Sequence, residues 1–233
     1  MKIRIKFSKT GNLKYIGHLD IMRCFQKVMR RAEVDIAYSA GFSPHQVMSF
    51  ASPLGLGVTS EGEYVDIEVQ SSQSSETMLE RINAVMVEGL QALSWVKLPD
   101  RAGTAMSVLA AADYRVAFDQ PVPEAVRKQF EEFLSLDTLV VTKKTKKGER
   151  EVDIPPLIYQ ADLQEQTLFL QLCAGSAENL KPEQVMNAFM DRYHMEPEQL
   201  RYHVHRLEMY ADLAEDGQER RLIPLERMGE VIV

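Results

Sequence analysis

The chain opens on an alternation. In "MKIRIKFSK", Ile3, Ile5 and Phe7 fall on one side and Lys2, Arg4 and Lys6 on the other. A period of two over six residues predicts a half-buried strand with its basic side in water. "SKTGN" turns the chain. From about Leu19 to Ala32 the period changes: Leu19, Met22, Phe25, Met29 and Ala32 recur at three and four, the stripe of an amphipathic helix. Asp20, Arg23, Lys27, Arg30 and Arg31 take the opposite side. Asp20 suits the positive helix end and the arginines the negative end.

Short extended pieces follow at "IAYS" and "VMSFAS", punctuated by Gly41, Pro44, Pro53, Gly55 and Gly57. "EYVDIEV" sets Tyr64, Asp66 and Glu68 against Val65, Ile67 and Val69, which predicts a strand. "SSETMLERINAVMVEGL" predicts a second helix with Ser75 as its cap, and "ALSWVKLP" a closing strand. The pattern breaks near residue 100, at "PDRAGTAMSVLAAA". After it, strand and helix periods recur in the same order: "DYRVAFDQ", "VPEAVRKQFEEFLSL", "TLVVTKK", a turn at Gly148, "EVDIPPLIYQADLQEQTLFLQLC", "KPEQVMNAFMDRYH" and "LRYHVHRLEMYA". The tail beyond Asp212 is weakly patterned. Two successive strand–helix–strand–strand–helix–strand units give an α+β expectation: tandem ferredoxin-like (βαββαβ) domains with antiparallel sheets, at 1–100 and 101–233.

Charge adds polarity to this outline. Residues 1–60 hold nine Lys/Arg against three Asp/Glu, a balance of +6, which leaves -13 for the rest of a chain whose net charge is -7. One end can therefore attract an anion while the other keeps the protein in solution. No run of about 18 apolar residues appears, and the N-terminus lacks the continuous apolar core of a signal peptide. A cytoplasmic protein without membrane association is expected. Cys24 and Cys173, far apart, read as small buried hydrophobes in a reducing compartment. Two cysteines so far apart form no closely spaced cluster for zinc or iron–sulfur, and no cofactor is expected.

The stretch "GHLDIMRCFQKVMRRAEVDIAYSAGFSPHQVMSFASPLGLGVTSEGEYVDI", with "KKTKKGEREVDIPPLI", "AGSAENLKPEQVM" and "HRLEMYA", resembles the radical-SAM-linked proteins. This is an uncharacterised bacterial family fused to, or encoded beside, radical-SAM proteins with a cobalamin-binding-type region. The resemblance spans roughly residues 2 to 212. It departs at Gly17, where members commonly carry serine. It implies a radical-SAM protein as partner, and RNA as a further one, since related gene clusters often include a ribonuclease of the G/E type and ribosomal proteins. The expected architecture is also similar to that of A-type tRNA pseudouridine synthases and of CRISPR-associated ribonucleases with paired ferredoxin-like domains. The Gly-Arg-Thr-Asp setting that the synthases require is absent here.

Candidate chemistry gathers around the first helix. His18, just before the helix, would stand beside free backbone N–H groups, a setting for anions. His45 follows Pro44 on a stiffened loop and could act as ligand, acid or base. With Asp20 these histidines could form a two-histidine, one-carboxylate metal set or an acid–base site on RNA. Asp20 is equally accounted for as a first-turn acid, and His45 as a ring packed beside Phe42. Arg23, Lys27, Arg30 and Arg31 form one basic patch; Lys143, Lys144, Lys146, Lys147 and Arg150 form another. The two could bracket a cleft for an RNA backbone, or both could simply be solvated. Tyr38 and Phe42 offer stacking surfaces for unpaired bases. The leading expectation is an RNA-binding or substrate-presenting partner of a radical-SAM enzyme in RNA or ribosome maturation. The alternatives are an RNA-processing or RNA-modifying enzyme using His18, Asp20 and His45, and a protein-docking scaffold.

Overall fold

The opening alternation forms strand β1 (Lys2–Lys9), which lies between β3 (Thr59–Glu68) and β4 (Leu90–Lys97) and is antiparallel to both. The structure, a computed structural model, describes residues 1–145, 148–215 and 217–233. It is α+β: among the described residues, ten of twelve strands belong to one large mixed sheet and five α-helices are present. The chain divides into two compact units. One is Met1–Ala110 with Arg206–Val233, the other Ala111–His205. The boundary read near residue 100 falls within the first of these, and the weakly patterned tail belongs with it.

In the first unit, β2 (Met48–Phe50) pairs with β3, giving the order β4-β1-β3-β2 with every pair antiparallel. Helix α1 (His18–Arg31) lies between β1 and β2, α2 (Ser75–Asn83) connects β3 to β4, and the short α3 (Ala105–Val108) follows β4. Ile3, Ile5 and Phe7 of β1 meet Val65 and Ile67 of β3, Phe25 and Met29 of α1, Met78 and Ile82 of α2, and Trp95 of β4 in one buried core. Phe25 lies with Phe7 and Phe50 in a three-ring cluster, centroids 4.6 to 6.0 Å apart. Leu19, assigned from sequence to the apolar stripe, is exposed; Ile21 and Val28 are buried instead. Ser74, not Ser75, caps α2 by accepting from the Thr77 amide. The Ser75 hydroxyl is buried, donating to the Trp95 carbonyl at 2.6 Å and accepting from the Ile232 amide at 2.9 Å.

The polar side of β1 departs from its sequence reading. Arg4 is wholly buried and Lys6 largely so. The covering chain is the C-terminal part of β10 (Tyr202–Asp212), with β11 (Leu222–Pro224) and the short turn Leu225–Met228. Arg4 makes a two-point pair with Asp66 (2.8 and 3.0 Å) and donates to the Leu225 carbonyl. Its partner Asp66 also accepts from the Ala105 amide at 2.7 Å. Lys6 pairs with Glu208 at 2.6 Å, which accepts in turn from the Tyr64 hydroxyl at 2.6 Å. Burial pulls the Lys6 ammonium down, but Glu208 and Glu226 outweigh it and hold its pKa above the usual lysine value. At Gly62 an added Cβ would lie 2.5 Å from the Leu207 carbonyl oxygen, so this close approach of strands requires glycine.

In the second unit, β5 (Leu109–Phe118), β9 (Thr167–Cys173) and β8 (Ile158–Leu163) run antiparallel, with β10 neighbouring β5. Helices α4 (Glu124–Leu134) and α5 (Pro182–Arg192) pack through Phe130 and Phe189, stacked at 3.7 Å. The ribbon of β6 (Val140–Thr145) and β7 (Gly148–Asp153) stands apart as a two-stranded sheet. Among the described residues no helix is long and apolar enough to cross a membrane.

Candidate functional site

Helix α1 begins at His18 because Gly17 holds an extended backbone there (φ -72°, ψ 162°), and no side chain caps the first turn. The helix buries Ile21, Phe25, Val28 and Met29, which leaves Arg23, Lys27, Arg30 and Arg31 exposed along its other sides. Asp20 pairs with Arg23 at 3.0 Å on the open helix surface. Both side chains are more than half exposed, so the contact adds at most a few tenths of a kcal/mol, about what an i,i+3 pair contributes.

A loop from Ala37 to Val47 stands against this helix. Its stem closes by the Val47 amide donating to the Ala37 carbonyl, the Ser39 amide donating to the His45 carbonyl, and a bridge between Tyr38 and Gln46. Gly41, at φ 113°, makes the tip possible. The buried Gln46 ties the loop to α1, its Nε2 donating to the Gln26 carbonyl at 3.3 Å. Tyr38 is 53% exposed and Phe42 wholly so. His45 is exposed, its Nδ1 2.8 Å from the Ser39 hydroxyl, which also accepts from the His45 amide. The ring therefore does not pack beside Phe42 to escape water.

His18 faces elsewhere. Its ring lies edge-on to Phe50 at 5.1 Å and lines a small pocket of about 20 Å³ with Lys9, Ser52, Leu54 and Glu63. Lys9 and Glu63 are both nearly inaccessible. Lys9 donates to the Ile16 carbonyl at 2.9 Å. Arg206 reaches both Glu63 carboxylate oxygens, at 2.9 and 3.2 Å. Burial raises the Glu63 pKa against the pull of Arg206, Ser60 and Lys9. Burial also lowers the Lys9 ammonium, which Glu63 partly restores. His18 is lowered too, first by burial and then by the charge of Lys9, so its neutral form is favoured.

The structure thus separates the residues proposed as one centre. His18 turns into a pocket with Lys9 and Glu63, His45 bonds within its own loop, and Asp20 pairs with Arg23. Among the described residues no group of three His, Cys, Asp or Glu side chains is gathered closely enough to hold a metal ion. Of the second basic patch, Lys143 and Lys144 lie on β6 opposite Arg150 and Glu149 of β7. Arg150 pairs with Glu178 at 3.2 Å. Lys146 and Lys147 lie outside the described residues.

Sequence reasoning passed over Lys9, Ser52, Glu63 and Arg206. A signal was available for two of them. Lys9 shares its side of the alternation with Ile3, Ile5 and Phe7, and Glu63 shares its side with Val65 and Ile67. A charge on the apolar side of each of two paired strands points to a buried pair, here with Phe7 opposite Glu63 in register.

Compared with known proteins, residues 2–182 match the family model described as an uncharacterized protein conserved in bacteria, DUF2344. No curated protein matches the chain.

Proposed function

The chain belongs to the uncharacterised bacterial family DUF2344, and for this member we propose an RNA-binding role as the substrate-presenting partner of a radical-SAM enzyme. One observation carries the reading. The cations of α1 and the exposed rings of the Ala37–Val47 loop are held together through the bond from Gln46 to Gln26. On α1, Gln26 lies three residues after Arg23 and four before Arg30, so all three share one side of the helix. A single strand can set its phosphates on the cations and stack an unpaired base on Phe42 or Tyr38. Neither ring is needed by the core, and an exposed phenylalanine at a loop tip gains nothing from folding.

The partner assignment rests on the motifs that resemble radical-SAM-linked proteins and on a chain with two free cysteines, too few for the three-cysteine cluster of radical-SAM chemistry. We also read the two units as a ferredoxin-like pair. What supports this is that β4-β1-β3-β2 and β10-β5-β9-β8 are each a four-stranded run with a helix-bearing connection. The test is binding of a labelled single-stranded oligoribonucleotide, followed by fluorescence anisotropy. Tyr38→Ala with Phe42→Ala should weaken it by roughly 1–3 kcal/mol per missing stack and leave the unfolding midpoint unchanged. Equal binding by the double variant would remove the loop from the interface. Co-expression with a radical-SAM protein from the same organism should yield a complex that survives gel filtration.

A further inference from the structure

We propose that the pocket lined by Lys9, His18 and Ser52 is an oxyanion site that takes a phosphate monoester, as the terminal phosphate of an RNA strand or as a free small phosphate. The Lys9 side chain is buried, yet among the described residues its ammonium, able to donate three hydrogen bonds, makes one, to the Ile16 carbonyl. A buried ammonium short of acceptors is costly unless something supplies them. The pocket opens beside it.

The lining is matched to an acceptor. Lys9, His18 and Ser52 all bear donors. The one carboxylate, Glu63, has both oxygens engaged by Arg206, so it repels an incoming anion less than an open carboxylate would. About 20 Å³ is room for one or two oxygen-sized atoms, not for a nucleoside. The phosphoryl oxygens enter, and the body of the ligand stays at the mouth. His18 is the first residue of α1, so the incoming charge also meets the positive helix end. His18 then acts as a donor that orients the oxyanion, and the entering charge favours its protonated form.

This inference deepens the RNA reading by naming what lies at one end of the strand, and it rests on that reading only for the RNA source of the phosphate. The experiment separates the two. One arm compares a single oligoribonucleotide carrying a 5′-phosphate, a 3′-phosphate or no terminal phosphate, at fixed salt. A phosphorylated form should bind about tenfold more tightly. His18→Gln and Lys9→Met should each abolish the preference while keeping the affinity of the unphosphorylated strand. His18→Gln, at a half-exposed position, guards against loss of fold in Lys9→Met. The second arm titrates inorganic phosphate into the full chain and follows the His18 ring resonances by NMR. They should shift saturably in the wild type and not in Lys9→Met. Ring shifts with phosphate but no binding of any oligoribonucleotide would uphold the pocket and overturn the RNA reading. Binding of all three oligoribonucleotides alike, with His18 silent to phosphate, would overturn the pocket and leave the RNA reading standing.

Discussion

Two sets of cations close together in sequence meet opposite fates. Arg4, Lys6 and Lys9 on β1 are buried, each held by an acid or a carbonyl. Arg23, Lys27, Arg30 and Arg31 on α1 are left uncovered by any acid but Asp20, which pairs with Arg23. Read by periodicity, Arg4 and Lys6 look as solvent-facing as the cations of α1, and Lys9 alone falls on the apolar side of its strand. The difference is whether another part of the chain covers them. The C-terminal segment around Leu225, itself fully buried, lies over Arg4. Among the described residues, Lys27, Arg30 and Arg31 form no ion pair. The lesson is that the +6 balance of residues 1–60 overstates the free charge. What remains for a ligand is concentrated on one helix.

The comparison breaks most sharply at Arg4. Arg4→Ala leaves the Asp66 carboxylate without its buried partner and should cost about 3–5 kcal/mol in urea denaturation. Arg30→Ala with Arg31→Ala should change stability by no more than about 0.5 kcal/mol. A similar destabilisation in both variants would mean that the two sets do not differ as described. Tyr64→Phe is a milder probe of the buried set. It removes the hydroxyl that donates to Glu208 and should cost about 1–3 kcal/mol.

How much of this was legible in the sequence follows from which forces are local. Helix α1 and the strands at 2–9 and 59–68 could be read because their periods are set by neighbouring residues. The burial of Arg4 was not legible, because its cover arrives from more than two hundred residues away, at Leu225 in a four-residue turn too short to show a period. Among the described residues His18, Asp20 and His45 do not form a metal-holding group, for a related reason. Proximity in sequence placed them together, while the loop bond from Ser39 to His45 and the packing of His18 on Phe50 drew them apart. The basic face of α1 and the exposed loop rings were readable as candidates, although the Gln46 anchor that joins them was not.

Smaller effects sharpen the picture at the start of α1. His18 has a pKa below its unfolded value of about 6.5. In the window between the two values the unfolded chain binds the proton first, so native stability falls as the pH drops below about 6.5. His18→Gln should remove that part of the slope in thermal melts at successive pH values, and an unaltered slope would show that the ring is not held in its neutral form. Gly17→Ser restores a hydroxyl at an uncapped helix start whose backbone already suits serine and where an added Cβ meets nothing within 4 Å. It should stabilise by a few tenths of a kcal/mol, about what separates glycine from serine at that position, visible as a small rise in the unfolding midpoint.

The most direct measurement is the salt dependence of oligoribonucleotide binding by the wild type and by the Arg30→Ala, Arg31→Ala variant. Every phosphate that no longer meets a cation should flatten the slope of log affinity against log salt by about 0.7 for a single strand. The variant should therefore bind more weakly, with a slope shallower by roughly one and a half if both arginines touch phosphate. Wild-type binding with a slope near zero, or an identical slope in the variant, would contradict the claim that the open face of this helix grips a polyanion.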